Sequence, residues 1–88
     1  MKNEVKTGEA VINGEKERFT VEYFVYREEE WGIRVVKLVN GIEKEAASVR
    51  NITPLYDKCV SMAEKLLDNT VTPVGLKDAL ENLICLFC

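Results

Sequence analysis

Apolar and polar residues alternate along the first half of the chain. Phe19, Val21, Tyr23 and Val25 occupy every other position within residues 15–27, which is the period of a half-buried strand. Residues 4–12 alternate more weakly, and residues 32–39 and 42–49 form two further segments of strand length. The pattern therefore predicts four strands before residue 50.

Short turns separate these strands. Asn-Gly pairs stand at residues 13–14 and 40–41, and this dipeptide favours a two-residue hairpin turn in which both central residues need positive φ. Three glutamates at residues 28–30 form a charged turn between the second and third strands. Consecutive strands joined by tight turns predict an antiparallel meander.

The turn lengths also predict the strand registers. The expected cross-strand pairs are Gly8 with Phe19, Ile12 with Glu15, Val25 with Ile33, Tyr23 with Val35, Phe19 with Val39, Val39 with Ile42, and Val35 with Ala46. All three registers place the same apolar set on one face: Ala10, Ile12, Phe19, Val21, Tyr23, Val25, Ile33, Val35, Val39, Ile42 and Ala46. Agreement between independent turns supports the sheet.

Two lysines disturb that face. Lys37 and Lys44 would lie opposite each other on it, and like charges directly across two strands are unfavourable. Either the two side chains lie beyond the helices and extend to water, or the register of the fourth strand contains a bulge.

Two helices are predicted after the strands. Thr53-Pro54 and Thr72-Pro73 are both typical helix starts, because proline suits the first helical position and a threonine hydroxyl can cap the backbone. Apolar residues then recur at intervals of three and four over residues 54–68 and 73–86. Val71 and Leu76 have the spacing of a hydrophobic staple, and the short connection predicts antiparallel neighbours.

The predicted fold class is α+β, a four-stranded antiparallel β-meander followed by a two-helix hairpin packed on one face. The 88 residues suit a single domain, 1–88, with one modest core.

The second helix start also has a familiar sequence. The residues concerned are Leu67, Asp68, Asn69, Thr70, Val71, Thr72, Pro73, Val74, Leu76, Lys77, Asp78, Leu80 and Leu83. This segment, LLDNTVTPVGLKDALENL, resembles the C-terminal signature of a family of small uncharacterised proteins from Firmicutes. Gly75 departs from the signature, where a larger, polar residue is expected. The resemblance implies a bacterial, cytoplasmic domain of unknown function, with no catalytic or binding residue to transfer.

Composition excludes several classes of function. The net charge is −3, and no lysine- or arginine-rich run exists, which disfavours nucleic-acid binding. No segment of 18 apolar residues and no signal-peptide core is present. We therefore expect a cytoplasmic protein without nucleic-acid or membrane partners.

Three cysteines are the main candidates for chemistry. Cys85 and Cys88 form a CxxC motif, and Cys59 is a third sulfur. The motif lies at a helix C-terminus, where the dipole disfavours a thiolate, and a closed zinc site needs a fourth ligand that no histidine can supply. We expect free thiols that pack as small apolar groups, no metal and no cofactor, with the terminal Cys88 the most reactive; redox or metal chemistry is the alternative.

Other chemistry has less support. The glutamates beside Trp31 are either a cation or partner contact or a solvated turn. The chain has no histidine, nucleophile elbow or phosphate-binding glycine loop, so an enzyme is not expected. A small ligand or metal between sheet and helices, with Lys37 and Lys44 as an anion contact, is the alternative to a binding surface.

The second face of the sheet gives the main functional hypothesis. It is predicted to carry Val11, Thr20, Glu22, Phe24, Tyr26, Arg34, Val36, Leu38, Ala47 and Val49. If both helices cover the other face, the candidate interface residues Phe24, Tyr26, Arg34, Val36 and Leu38 form an open patch. We expect either a homodimer or another protein to bind there, unless a helix crosses over or long polar neighbours shield the patch.

Overall fold

The computed structural model describes residues 4–14 and 16–87, with side chains as far as Asn82. Its elements in chain order are β1 (Glu4–Asn13), β2 (Arg18–Arg27), β3 (Trp31–Val39), β4 (Ile42–Thr53), α1 (Tyr56–Asp68), a 3₁₀ helix (Pro73–Gly75) and α2 (Leu76–Phe87). The four strands form one antiparallel sheet in the order β1-β2-β3-β4. The predicted α+β class and order of elements are confirmed.

The first hairpin is wider than predicted. Asn13 stays in β1 opposite Arg18, and Ile12 pairs with Phe19, so the expected pairing of Ile12 with Glu15 is wrong; Glu15 lies outside the described residues. The loop closes with a hydrogen bond from the Gly14 N–H to the Glu17 carbonyl, 2.9 Å. Neither residue of the Asn13-Gly14 pair has positive φ, so the two-residue turn does not form.

The other two turns match their predictions. Arg27 pairs with Trp31 across the three glutamates, and Val25 pairs with Ile33. Asn40 and Gly41 have φ of 55° and 78°, as a two-residue turn of this type requires. Val39 accordingly pairs with Ile42.

A bulge in β4 explains the lysines. Leu38 pairs with Glu43 and Lys37 with Glu45, so Lys44 is the extra residue and is exposed. The predicted opposition of the two lysines is wrong, and the alternative of a bulged register is confirmed. Lys37 is half-buried on the helix-covered face, with its Nζ 4.5 Å from the centroid of the Phe19 ring.

The bulge also reverses the faces of β4 beyond Lys44. Ala46, predicted on the core face, is exposed and pairs with Val36. Ala47 and Val49, predicted on the opposite face, pack against the core. A one-residue insertion moves every later side chain to the other face, which is the physical reason for these three corrections.

A second irregularity extends β4 to Thr53. Ile33 pairs with Val49, whereas Trp31 pairs with Thr53, and Asn51 between them has φ of 55°. Gly32 is essential here: a Cβ on it would lie 2.5 Å from the Val49 carbonyl oxygen and 2.8 Å from the Arg50 Cα. The close approach of the two backbones therefore depends on glycine.

The helix starts differ in detail from the prediction. The helix α1 begins at Tyr56 with Leu55 as its N-cap, and the Thr53 hydroxyl accepts a hydrogen bond from the Leu55 N–H, 3.2 Å, before the helix. Pro73 begins the 3₁₀ helix as its first residue, while the Thr72 side chain makes no capping hydrogen bond. Pro73 therefore takes the predicted first helical position, whereas Pro54 lies before the N-cap of α1, and neither threonine is the predicted side-chain cap.

The loop between the helices is tightly hydrogen-bonded. The N–H of Val71 donates to the Leu66 carbonyl, and the N–H of Thr70 donates to the Leu67 carbonyl, both at 3.0 Å. These two bonds form a Schellman motif, with Thr70 at φ of 47° in the position usually held by glycine.

One core joins the helices to a single face of the sheet. Its buried residues are Val21, Tyr23, Val25, Ile33, Val35, Cys59, Met62, Ala63, Leu66, Leu76 and Leu80. The Tyr23 hydroxyl donates to the Val71 carbonyl, 2.7 Å, so the sheet also holds the interhelical loop. Desolvation by burial raises the pKa of Tyr23 to about 12.

Candidate protein-binding surface

The predicted interface residues share the face of the sheet that points away from the core. Phe24 lies opposite Arg34, Tyr26 opposite Gly32, and Val36 between Glu22 and Ala46. Leu38 continues the row opposite Thr20. The structure therefore brings all five predicted residues to one surface, which we call the open face.

Polar neighbours cover much of this apolar row. Val36 is only 4% exposed although no helix lies above it, and Phe24, Tyr26 and Leu38 are half-buried. The guanidinium of Arg34 lies over the Phe24 ring, 4.7 Å from its centroid. Of the two ways in which this face could be covered, no described helix crosses to it, and Arg34 shields Phe24.

An ion pair fixes Arg34 in that position. Its Nε donates to Glu4 Oε2 at 2.9 Å and its Nη2 donates to Glu4 Oε1 at 3.2 Å. This two-point geometry aligns a planar guanidinium with a carboxylate. The hydrogen bonds to Glu4 raise the pKa of Arg34 above its ordinary value.

A second group of charges lies beside the first. Glu9 and Glu22 are directly opposite across β1 and β2, and Lys6 Nζ donates hydrogen bonds to both carboxylates. Those hydrogen bonds, to Glu9 first and then Glu22, raise the pKa of Lys6. Lysine thereby neutralises a cross-strand pair of like charges that would otherwise be unfavourable.

A groove of about 400 Å³ lies at one end of the open face. Its lining residues are Glu4, Tyr26, Glu28, Arg34, Ser48 and Arg50. Beside them, Gly32 contributes no side chain, and Tyr26 Cζ is 3.2 Å from where a Cβ of that glycine would lie, so the tyrosine ring covers the glycine.

Arg50 is the loosest charge of the groove. Its Nη1 is 3.7 Å from Glu28 Oε1, and its side chain is 71% exposed. An exposed ion pair at this distance contributes little stability. Its guanidinium is therefore available for another carboxylate, unlike that of Arg34.

Sequence reasoning missed the acidic half of this site. On the predicted register, Glu4 would lie opposite Tyr23 on the core face. The wider first hairpin and a shift between Lys6 and Gly8 place it opposite Tyr26 instead. No local signal indicates that shift, so the Glu4–Arg34 pair was not predictable.

The glutamate turn and Trp31 have structural roles. Trp31 packs against the core and meets Tyr56 edge-on, with ring centroids 4.7 Å apart. The Glu30 N–H donates to Asn51 Oδ1 at 3.0 Å, while Glu28 and Glu29 are exposed. The turn thus helps to hold the irregular end of β4.

The alternative ligand site is not assembled by the described residues. Lys37 and Lys44 point to different environments, and Cys59 contacts the carbonyl oxygen of Gly32, Sγ to O 3.4 Å, five residues along β3 from Lys37. Burial raises the pKa of the Cys59 thiol to about 11, which opposes nucleophilic use. The Cys85 side chain and Cys88 lie outside the described part of the chain, so the predictions for them stay predictions.

The described residues form neither a metal-binding cluster nor a membrane-spanning helix. Residues 4–14 and 16–82, whose side chains the structure describes, contain no group of three or more His, Cys, Asp or Glu side chains arranged to hold a metal ion. Within residues 4–14 and 16–87, no helix has the length and apolar character needed to cross a membrane.

Comparison with known proteins identifies a family but no activity. No curated protein and no solved structure matches the chain. The model of a family of unknown function, DUF6514, matches residues 2–86, so the family match extends far beyond the C-terminal segment. The chain therefore belongs to the DUF6514 family, whose function is unknown.

Proposed function

We propose that the chain is a small, non-enzymatic interaction module that binds another protein through the open face of its sheet. The observation that carries this proposal is the one-sided build of the molecule. The helices and the core lie on one face, while Phe24, Tyr26, Val36 and Leu38 form an apolar row on the other. Among the described residues no helix packs over that row, and the Arg34 guanidinium lies over Phe24.

The dimensions of the face suit such a role. The molecule measures 39 × 29 × 16 Å along its principal axes, so its broad side is about the size of a standard protein interface, roughly 800 Å² per partner. Aromatic residues and arginine, both enriched in the centres of interfaces, occur here as the stacked pair of Phe24 and Arg34.

The charges indicate the chemistry of the partner. Arg34 and Lys6 are already held by carboxylates of this chain, so they lose little side-chain freedom on binding. Arg50 is mostly exposed and weakly paired. We infer a partner that offers a flat apolar surface together with a carboxylate, which replaces Glu28 at Arg50 in the groove.

The proposal also covers the cellular location of the protein and the alternative occupant of the open face. The resemblance over residues 67–83 supports a bacterial protein that acts in the cytoplasm. A second copy of the chain is the alternative occupant of the open face, because the face carries both charge signs and a two-fold pairing needs a self-complementary surface.

Paired capture from the native host tests the proposal. Immobilised wild-type protein and two variants, Phe24→Asp and Val74→Asp, are compared for the proteins they retain. Val74 is 79% exposed and lies in the 3₁₀ helix, away from the open face, so it is the matched control. We expect the Val74 variant to retain the partner and the Phe24 variant to lose it, because a carboxylate that must be desolvated replaces an apolar ring in the contact.

The same variants distinguish the other outcomes. A partner retained equally by both variants would show that the open face is not the binding surface. Self-association of the wild type that disappears only in Phe24→Asp would assign the face to a second copy. Circular dichroism of each variant confirms that the fold is kept.

A further inference from the structure

The two edges of the sheet are not equally protected. The register of β4 is interrupted at Lys44 and again near Asn51. By contrast, β1 has one shift, between Lys6 and Gly8, after which Gly8 to Asn13 pair without interruption with Tyr23 to Arg18. Within the described residues β1 pairs only with β2, so its other edge presents unpaired backbone groups.

Native sheets usually block such an edge with bulges, proline or outward lysine. The segment from Gly8 to Asn13 has none of these, and Lys6 just before it is engaged by Glu9 and Glu22. Val11, in the middle of the segment, is 48% exposed. Six regular residues give an edge of roughly 20 Å, enough for a strand to add to the sheet.

We propose that this edge pairs with the same edge of a second copy, so that two sheets join into one of eight strands. Antiparallel pairing of identical strands requires a two-fold axis perpendicular to the sheet, which keeps both copies' helices on the same side. An axis at Val11 places Val11 opposite its own copy, Ala10 opposite Ile12, and Glu9 opposite Asn13.

This register suits the side chains. Two β-branched residues meet at the axis, which is a favourable cross-strand pair, and each Val11 covers part of the exposed surface of the other. Ala10 and Ile12 are both half-buried on the helix side and extend the core across the junction. Glu9 faces an amide and not another carboxylate, so the pairing brings no like charges together.

The helices leave room for the second copy. The helix α1 reaches β1 at Gly8, where a Cβ would lie 2.7 Å from Leu67 Cδ2. In the proposed register, Gly8 lies opposite residue 14 of the partner copy, so the two Gly8 positions are roughly 20 Å apart along the strands. That separation exceeds the diameter of a helix, about 10–12 Å. The inference does not depend on the open-face proposal, although it would join two open faces into one.

Disulfide trapping tests the register directly. Residues directly opposite in an antiparallel pair have Cα atoms about 4.5–5.5 Å apart, within the range of a disulfide. In a Cys85→Ser, Cys88→Ser background, Val11→Cys should give a covalent dimer under mild oxidation. Ile42→Cys, 61% exposed at the start of the other edge strand, should stay monomeric. Absent or equal cross-linking in the two variants would overturn the proposal.

Sedimentation equilibrium tests the association itself. We expect the wild type to dimerise at high micromolar concentration, Val11→Lys to weaken the dimer at least tenfold, and Phe24→Asp to leave it unchanged. The lysine variant places two like charges at the axis. A wild type that stays monomeric overturns the edge proposal but does not contradict protein binding at the open face. Loss of the dimer only in Phe24→Asp also overturns the edge proposal, and it supports binding of a second copy at the open face.

Discussion

The two faces of the sheet come from one alternating sequence but are covered by different means. In β2, Val21, Tyr23 and Val25 are 0% exposed beneath the helices. Phe24 and Tyr26, which alternate with them, are half-buried on the other face, where the Arg34 guanidinium lies over Phe24. The residues of the helix-covered face are buried by packing against the two helices. On the open face, the strands carry ion pairs and a guanidinium stacked on Phe24.

Burial alone does not show that a second layer of structure covers a residue. Val35 and Val36 are neighbours on opposite faces, and they are 0% and 4% exposed. Packed helices cannot leave Val35 without unfolding, whereas no described helix covers Val36, so only side chains of its own face must adjust when another surface binds. A sheet face that is covered only by its own side chains is compatible with both an isolated monomer and a complex.

The greatest loss of stability is expected at Gly32, where the backbones of β3 and β4 approach each other closely. Gly32→Val should lower the free energy of unfolding by about 3 kcal/mol, because its Cβ would meet the Val49 carbonyl and the Arg50 backbone. Urea denaturation measures the loss. Gly75→Ala is the matched control: a Cβ there meets nothing within 4 Å, so no loss is expected. Equal losses would show that the bulged end of β4 can move aside.

Truncation of the two neighbouring valines tests the comparison itself. Val35→Ala should cost about 2 kcal/mol, since two methyl groups are removed from rigid packing. Val36→Ala should cost about half as much, because no described helix packs on Val36 and neighbouring side chains and water can fill the space. Denaturation of both variants gives the values, and equal costs would indicate that the cover of the open face is as rigid as the helices.

The next largest loss of stability is expected from removal of the Tyr23 hydroxyl on the helix-covered face. Tyr23→Phe should lower stability by about 1–2 kcal/mol, because the Val71 carbonyl loses its hydroxyl donor in a buried place. Tyr26→Phe, on the open face, is the control and should change stability by less than about 0.5 kcal/mol. Thermal and urea denaturation at neutral pH measure both.

The same tyrosine makes stability depend on high pH. The pKa of Tyr23 is about 12 in the folded chain against 10.0 for an ordinary tyrosine, so the unfolded chain loses this proton first as pH rises. Its contribution is full below pH 10 and declines between pH 10 and 12. Cys59, with a pKa of about 11 against 9.0, adds a decline that begins near pH 9. Tyr23→Phe should keep the cysteine part and lose the other, and an unchanged profile would contradict this assignment.

Local sequence patterns predicted those strand registers and sheet faces that turns and alternation determine. The three-residue turn set its register correctly, and alternation in β2 and β3 identified both faces. The Asn40-Gly41 turn set the pairing of Val39 with Ile42 correctly, but the expected pairing of Val35 with Ala46 is wrong because of the bulge, and Val35 pairs with Ala47. The bulge at Lys44 was only one of two alternatives, because its advantage arises from the rest of the sheet: the lysine becomes exposed while Ala47 and Val49 reach the core.

The open face was predicted in its apolar residues but not in its charges. Phe24, Tyr26, Arg34, Val36 and Leu38 follow from period two alone. The partners Glu4, Lys6 and Arg50 depend on register shifts in β1 and β4, which arise from contacts between distant parts of the chain. Shielding of the face therefore could not be distinguished from exposure by sequence.

The smallest effect concerns the loop that closes the covered face. Thr70 has φ of 47°, and this left-handed conformation costs a β-branched residue about 1–2 kcal/mol relative to glycine, while the greater freedom of unfolded glycine offsets part of the gain. Thr70→Gly should therefore raise the free energy of unfolding by about 0.5 kcal/mol, or the melting temperature by about 2–4 °C. Asn40→Gly is the control, because asparagine already tolerates its φ of 55°.

The Schellman hydrogen bonds and the Tyr23–Val71 contact use only main-chain atoms of the loop, so the decline in stability between pH 10 and 12 should persist in the Thr70 variant. A destabilised Thr70→Gly would show that the hydrogen bond from its hydroxyl to the Asn69 carbonyl, 2.8 Å, stabilises the loop more than the backbone conformation strains it.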